Sequence, residues 1–250
     1  MNIMSYLKDS HEKALAQNWL NSKFKILSCL LYGEINPRFF VTFDNKKIAY
    51  LVISKNACTS IKAALIDNLV TGVDVHYSEK FKNTFNKLPS EKEDYFKFTF
   101  VRNPFERAVS CYVNKFKEYK NRDNFFIFKK YLRGYLKEKD SFTAFINKIS
   151  TIPDRFSDMH FKSQYSFIYE KGKSVVDYCG KVENLKEDFA PIQKKYNLGS
   201  LIIQNKTSNK DRRSFYNEDL AEKMYKRYKK DFDIRYPEEY EKLIHYLEGV

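Results

Sequence analysis

Twice in this chain an apolar strand pattern runs into a short polar loop and then directly into a helix, and that repetition restricts the chain to an α/β fold. The first case is Ile48-Ala49-Tyr50-Leu51-Val52-Ile53, then Ser54-Lys55-Asn56-Ala57-Cys58-Thr59-Ser60, then a helical pattern from Ile61 to Val70. The second is Phe98-Thr99-Phe100-Val101, then Arg102-Asn103-Pro104-Phe105-Glu106-Arg107-Ala108-Val109-Ser110. Asn103 has the chemistry of a helix cap, Pro104 suits the first helical position, and Glu106 stands where a capping box would close. A strand end fixed against a helix N-terminus is a natural anion site. In open parallel sheets such junctions collect at the carboxyl ends of strands, where ligands bind. Two of them imply a ligand with two separated phosphate-like groups.

The rest of the chain fits the same class. Phe39–Phe43 and Ile48–Ile53 read as strands joined at Asp44-Asn45, and Lys97–Val101 as the next strand. Helices are expected over Pro104–Tyr119, over Phe125–Ile149 with breaks near Gly134 and Asp140, and after Glu183 or Asn184. Val175–Val182 holds a short buried strand, and Leu201–Gln204 is a last strand candidate. Asn217 caps a helix to about Lys230, and Pro237 opens a final one. Strands alternating with helices predict a three-layer, P-loop-like α/β fold, its mostly parallel central sheet flanked by helices. Residues 1–45 are expected to form an N-terminal appendage packed on the core, and 46–250 the main domain. Within the appendage, Ser10–Leu31 reads as a helix with Leu15, Trp19, Leu20, Phe24, Leu27 and Leu31 near one face. It is expected to pack on the main domain, with peripheral membrane contact as the minority reading. Phe125, Phe126, Phe128, Tyr131 and Tyr135 recur at helical spacing, which favours core packing over a sugar-stacking platform.

Lys and Arg outnumber Asp and Glu by 45 to 32 in 250 residues, a formal net charge of +13. This excess favours anionic partners. The four cysteines, Cys29, Cys58, Cys111 and Cys179, are far apart, which disfavours a zinc knot or a disulfide scaffold. No apolar run approaches the ~18 residues of a membrane span, and charged residues from Lys8 onward interrupt any signal peptide. These features predict a soluble cytoplasmic chain, or a Golgi-lumenal one if an anchor has been trimmed away.

The loop Ser54–Ser60 is not a Walker motif: it has no glycine, and its lysine opens the loop rather than closing it. Ser54-Lys55-Asn56-Ala57-Cys58-Thr59-Ser60-Ile61-Lys62 resembles the 5′-phosphosulfate loop of the carbohydrate sulfotransferases of the HNK-1 and chondroitin 4-O type. Phe100–Ser110, followed by Tyr112, Asn114, Lys115 and Phe116, resembles their 3′-phosphate motif. Three further stretches agree in order: His160-Phe161 with Gln164; Gly180-Lys181-Val182-Glu183-Asn184-Leu185; and Asn205-Lys206-Thr207-Ser208 with Tyr228, Asp231 and Phe232. The resemblance spans about Lys47 to Tyr236.

The resemblance implies transfer of a sulfuryl group from 3′-phosphoadenosine 5′-phosphosulfate (PAPS) to a sugar hydroxyl, without a metal. The net charge favours an anionic glycan, such as an acidic surface or capsular polysaccharide or its precursor. Lys55 is expected to stabilise the leaving phosphate oxygen, with Asn56, Ala57, Cys58, Thr59 and Ser60 cradling the 5′ groups. Arg102 and Ser110 are expected to hold the 3′-phosphate, with Lys206, Ser208, Arg212 and Arg213 closing over the nucleotide or forming a solvated basic loop. Asn103 and Glu106 read as helix caps, and Glu183 as a cap or salt-bridge partner. His76 is the leading candidate for the base; His160 is the competitor, or orients the acceptor. His11 and His245 read as surface residues. A basic nucleic-acid-binding protein is the alternative of another class, although no such motif is present. A nucleotide kinase is disfavoured by the missing glycines and magnesium ligands.

Overall fold

Apolar alternation, traced strand by strand, builds a five-stranded sheet with a separate hydrophobic core on each face. The computed structural model describes residues 33–66, 84–117, 128–129, 131–202 and 211–249. Strand β1 (Phe40–Phe43) turns through Asp44–Lys46 into β2 (Ile48–Leu51), and helix α1 (Cys58–Leu65) follows. Next come β3 (Thr84–Phe85), β4 (Phe96–Val101), α2 (Pro104–Phe116), α3 (Phe142–Thr151) and α4 (Gln164–Ile168). A two-stranded ribbon, β5 (Tyr169–Glu170) with β6 (Lys173–Ser174), leads to β7 (Tyr178–Lys181) and α5 (Leu185–Tyr196). Helices α6 (Glu218–Arg227), α7 (Lys229–Arg235) and α8 (Glu239–Glu248) complete the described chain.

The sheet order is β3-β1-β2-β4-β7. β2, β4 and β7 are parallel, while β1 is antiparallel to both of its neighbours, so it alone reverses direction. The sheet is therefore mostly parallel, and the carboxyl ends of β2, β4 and β7 lie side by side. In β2 and the residues after it, Ile48, Tyr50 and Val52 face one core, and Ala49, Leu51 and Ile53 the other. The first core adds Phe98 and Phe100 of β4, Ile61 and Leu65 of α1, and Phe189 and Ile192 of α5. The second adds Val101, with Phe105 and Val109 of α2, Phe145 of α3, Met224 of α6 and Phe232 of α7. Gly180 of β7 pairs with Phe100, and a Cβ there would come within 2.5 Å of the Phe100 ring. The aromatic that fills the first core thus requires glycine on the neighbouring strand.

Several element boundaries differ from expectation. Helix α1 begins at Cys58, three residues before the apolar pattern, with Ala57 at its N-cap. The helical stretch expected over Phe125–Ile149 is interrupted near Gly134 and Asp140, as expected, but the part before the second break is not regular helix among the described residues. Tyr131–Arg133 is a 3-10 turn with Leu132 and Arg133 left-handed, and regular helix starts only at Phe142, where the Ser141 side chain accepts from the Ala144 N–H. Phe128 and Tyr131 are nevertheless core residues, packed against Phe161, while Tyr135 is exposed. The helix capped by Asn217 breaks at Tyr228, and the last helix starts at Glu239. Leu201 and Ile202 are irregular. The expected helix over Ser10–Leu31 and residues Phe125 and Phe126 lie outside the described residues.

Candidate functional site

At the end of β2 the chain turns without a glycine. Lys55 (φ 71°) and Ala57 (φ 55°) adopt left-handed conformations that cost a residue with a Cβ about 1–2 kcal/mol. Ala57 is the N-cap of α1 and supplies no side-chain cap. A left-handed residue followed by helical ones turns successive N–H groups to one side, a concavity suited to an anion at the positive end of a helix. Cys58 and Thr59 are partly exposed there and Ser60 is buried. Asn56 holds the strained loop in place. It is fully buried, and its Nδ2 donates to the Phe100 carbonyl (2.8 Å) and to Gln164 Oε1 (2.7 Å).

The second junction follows β4. Asn103 caps α2 by accepting from the Phe105 N–H (2.9 Å), with Pro104 at the first helical position. The capping box does not close. The Asn103 N–H donates to Glu183 Oε1 (2.7 Å), and Asn103 Nδ2 to Glu239 Oε2 (2.6 Å). Glu106 instead accepts from Arg212 (2.8 Å) and Arg102 (3.3 Å) on a single oxygen, Oε2. Two charged donors compete for its carboxylate better than one neutral amide can.

Gln164 joins the two junctions. Its Oε1 accepts from Asn56 Nδ2 and from the Arg102 N–H (2.8 Å), while its Nε2 donates to the Arg102 carbonyl (2.8 Å). Asp231 fixes Gln164 in turn, accepting from the N–H groups of Gln164 (2.9 Å) and Tyr165 (2.6 Å). Arg107, 3% exposed, spends its guanidinium on three carbonyls: Ser54 (3.1 Å), Met159 (3.0 Å) and Lys162 (2.6 Å). It thereby fixes the start of the first loop against the segment that carries His160.

Positive charge converges on this place. Burial, with the nearby charges of Lys115 and Arg102, pushes the Lys55 amine down to about 8, against the opposing pull of Cys111 and Cys58. Burial also lowers Lys115. Arg102 is lowered first by burial and then by its neighbour Arg212. His160 is pushed down to about 4 by burial and by Lys115 and Lys55, although Asp158 opposes them. His160 Nδ1 lies 2.6 Å from Asp158 Oδ1, which also accepts from the His160 N–H (3.1 Å). Asp158 is 2% exposed. A carboxylate at Nδ1 holds the proton there and leaves Nε2 as the acceptor.

Of the residues expected in the site, Lys55, Asn56, Ala57, Cys58, Thr59, Ser60, Arg102 and Arg212 gather around the two tied junctions. Ser110 is buried on α2, and His160 faces the same lysines. His76, Lys206 and Ser208 lie outside the described residues. Arg213 pairs with Asp211 at the surface, Asp211 Oδ2 accepting at 2.8 Å. Sequence reasoning gave no role to Lys115, Arg107, Gln164 or Asp158. Lys115 lies in the stretch that resembles the 3′-phosphate motif, and it follows Arg107 and Cys111 at four-residue steps along the inner face of α2.

The family profile of the sulfotransferases matches residues 38–237. Carbohydrate sulfotransferase 14 of Danio rerio is 28% identical over 165 residues, covering 58% of this chain and 44% of that protein. The Homo sapiens protein of the same name is 31% identical over 110 residues, 39% of this chain and 29% of its own. Carbohydrate sulfotransferase 12 of Xenopus laevis is 24% identical over 244 residues, 76% and 57% respectively. The chain thus spans between about a third and three-fifths of the curated relatives it matches. No solved structure matches it. The comparison corrects the cytoplasmic expectation, because the relatives are carbohydrate sulfotransferases, enzymes that act in the Golgi lumen. Scattered cysteines and the lack of a long apolar helix among the described residues carry no information on compartment. With four-fifths of its length matched, and with the two strand–helix junctions inside the matched range, the chain belongs to the sulfotransferase family, in the branch of the carbohydrate sulfotransferases.

Proposed function

We propose that this protein transfers a sulfuryl group from PAPS to a hydroxyl of a glycan, in a three-layer domain that presents two phosphate sites as P-loop folds present one. The observation that carries this reading is the tie through Gln164. It brings the uncapped helix N-terminus beside Lys55 and the Asn103-capped helix N-terminus beside Arg102 to adjoining strand ends. The residues fit the donor. Glu106 bridges the partly buried Arg102 and Arg212, and a nucleotide with separated anionic groups satisfies such a set. PAPS supplies the sulfur: an S–O bond forms to the acceptor oxygen as the S–O bond to the 5′-phosphate breaks.

Each residue then has a task. The Lys55 ammonium neutralises charge on the departing phosphate oxygen. The amides of Ala57–Ser60 hold the 5′ end, and Arg102 with Arg212 and Ser110 hold the 3′ end. His160, with Asp158 at Nδ1, receives the acceptor proton at Nε2. His160 is uncharged near neutral pH, as a base must be. The surplus of positive charge suits an acidic glycan.

Calorimetric titration with the desulfated product, 3′-phosphoadenosine 5′-phosphate (PAP), tests the donor site. Wild type is expected to bind PAP saturably and without magnesium. Arg102→Ala is expected to bind about 100-fold more weakly, as loss of a bidentate charged contact requires. Absence of binding by folded wild type would remove the donor from the reading. The base is tested separately. His160→Ala should lower kcat by about 10²- to 10⁴-fold with PAP affinity retained. Near wild-type turnover in His160→Ala together with a dead His76→Ala would transfer the role to His76.

A further inference from the structure

Arg102 and Arg212 are both less than one-fifth exposed, close enough to repel, and bridged by one oxygen of Glu106. We propose that Glu106 is a built-in stand-in for the 3′-phosphate. Its carboxylate neutralises the arginine pair when the nucleotide is absent and is exchanged for the phosphate when the nucleotide binds. The proposal rests on the donor reading above and adds a competitor inside the site itself.

Three observations carry it. First, Glu106 uses the same two guanidinium groups to which a phosphate would bind, so carboxylate and phosphate cannot both hold them in this geometry. Second, Glu106 is the most exposed of the three, at 33% for its side chain, and it borders a cleft of about 390 Å³. Arg213 and Lys242 line the same cleft, paired with Asp211 and with Glu238 and Glu239, and keep positive charge near a carboxylate that swings out. Third, Glu106 lies in the first turn of α2, where the helix dipole favours a negative charge whether or not the arginines are engaged. The displaced side chain is therefore never stranded. Two part-buried guanidinium groups that lost this carboxylate would repel each other more strongly, and the exchange keeps them aligned in both states.

Glu106→Gln tests this, because the amide keeps the length and can still accept from Arg212 but carries no charge. The variant should bind PAP about fivefold to tenfold more tightly than wild type, since the phosphate no longer displaces an anion. Adenosine 5′-phosphate, which lacks the 3′ group, should bind both proteins equally. Without ligand the variant should melt about 2–4 °C lower, because the arginine pair has lost the charge of Glu106. Saturating PAP should close that gap. A residue that merely positions the arginines predicts the reverse, so weaker or unchanged PAP binding in Glu106→Gln overturns the exchange. An equal gain with adenosine 5′-phosphate overturns it too. Wild type that binds neither nucleotide overturns the donor reading itself. That outcome is distinct from a failed exchange, in which wild type binds PAP and the variant gains nothing.

Discussion

Lys55→Met is expected to reduce kcat by on the order of 10²- to 10³-fold while leaving the protein folded, and more stable than wild type. The side chain keeps its length and apolar stem but loses the charge. Among the described residues no carboxylate is bonded to this amine, and burial holds it down at about 8. A charge that burial destabilises and no partner compensates is a folding liability, so its removal should raise the melting temperature. The Lys55 carbonyl, which accepts from Arg102 Nη1 (3.4 Å), is untouched by the substitution.

The same amine fixes a pH signature. Between about 8 and the ordinary lysine value, the unfolded chain holds a proton at this position that the folded chain has lost, so folding stability contributed by Lys55 rises with pH there. In the proposed reaction donor-site function moves the other way, since only the ammonium, present below about 8, would stabilise the leaving group. kcat/KM should therefore fall above pH 8. In the profile of kcat the limb should lie higher, because bound phosphates favour the charged amine. A Lys55→Met protein with wild-type turnover, or an alkaline limb that survives the substitution, would exclude Lys55 as the group responsible.

Arg107→Ala is expected to be the most destabilising single change in the site, at about 3–5 kcal/mol. That is a large part of the total stability of an ordinary domain, about 5–15 kcal/mol. Its guanidinium is buried and bonded to carbonyls of Ser54, Met159 and Lys162. Truncation leaves these acceptors without a donor and opens a cavity beneath the first loop. Arg107→Met refills most of the volume but supplies no donor, so it should recover only part of the loss. Urea denaturation of the three proteins measures this directly. If Arg107→Ala unfolds at the wild-type midpoint, the carbonyl bonds are not what holds the loop to the His160 segment. PAP affinity should fall alongside stability in both variants, since Ser54 immediately precedes Lys55.

Legibility in the sequence followed range. The apolar run Ile48–Ile53 marked a strand buried on both faces, and strand geometry, with its period of two, puts Ile48, Tyr50 and Val52 in one core and Ala49, Leu51 and Ile53 in the other. The Asn103 cap and Pro104 were equally local, and they are as the sequence implied. The closed capping box was not, although its spacing was correct. The outcome depended on Glu183, 80 residues from Asn103, and on Arg212, 106 residues from Glu106. The missing glycines concealed two left-handed residues, Lys55 and Ala57. They are held there by a buried bond from Asn56 to Gln164, which lies 108 residues further on.

The sequence by itself determined the two strand–loop–helix junctions, the class of fold that places them at neighbouring strand ends, and the cations they carry. These follow from periodicity, capping and charge, all of which act within a few residues. Only the tertiary structure decided what those cations meet. Gln164 tied the loops, Arg107 anchored them, Glu106 bridged the arginines, and Lys55 and Lys115 depressed His160. The physical reason is that the energy of a buried polar group depends on the partner it finds and the water it loses, and both are set by segments distant in the chain.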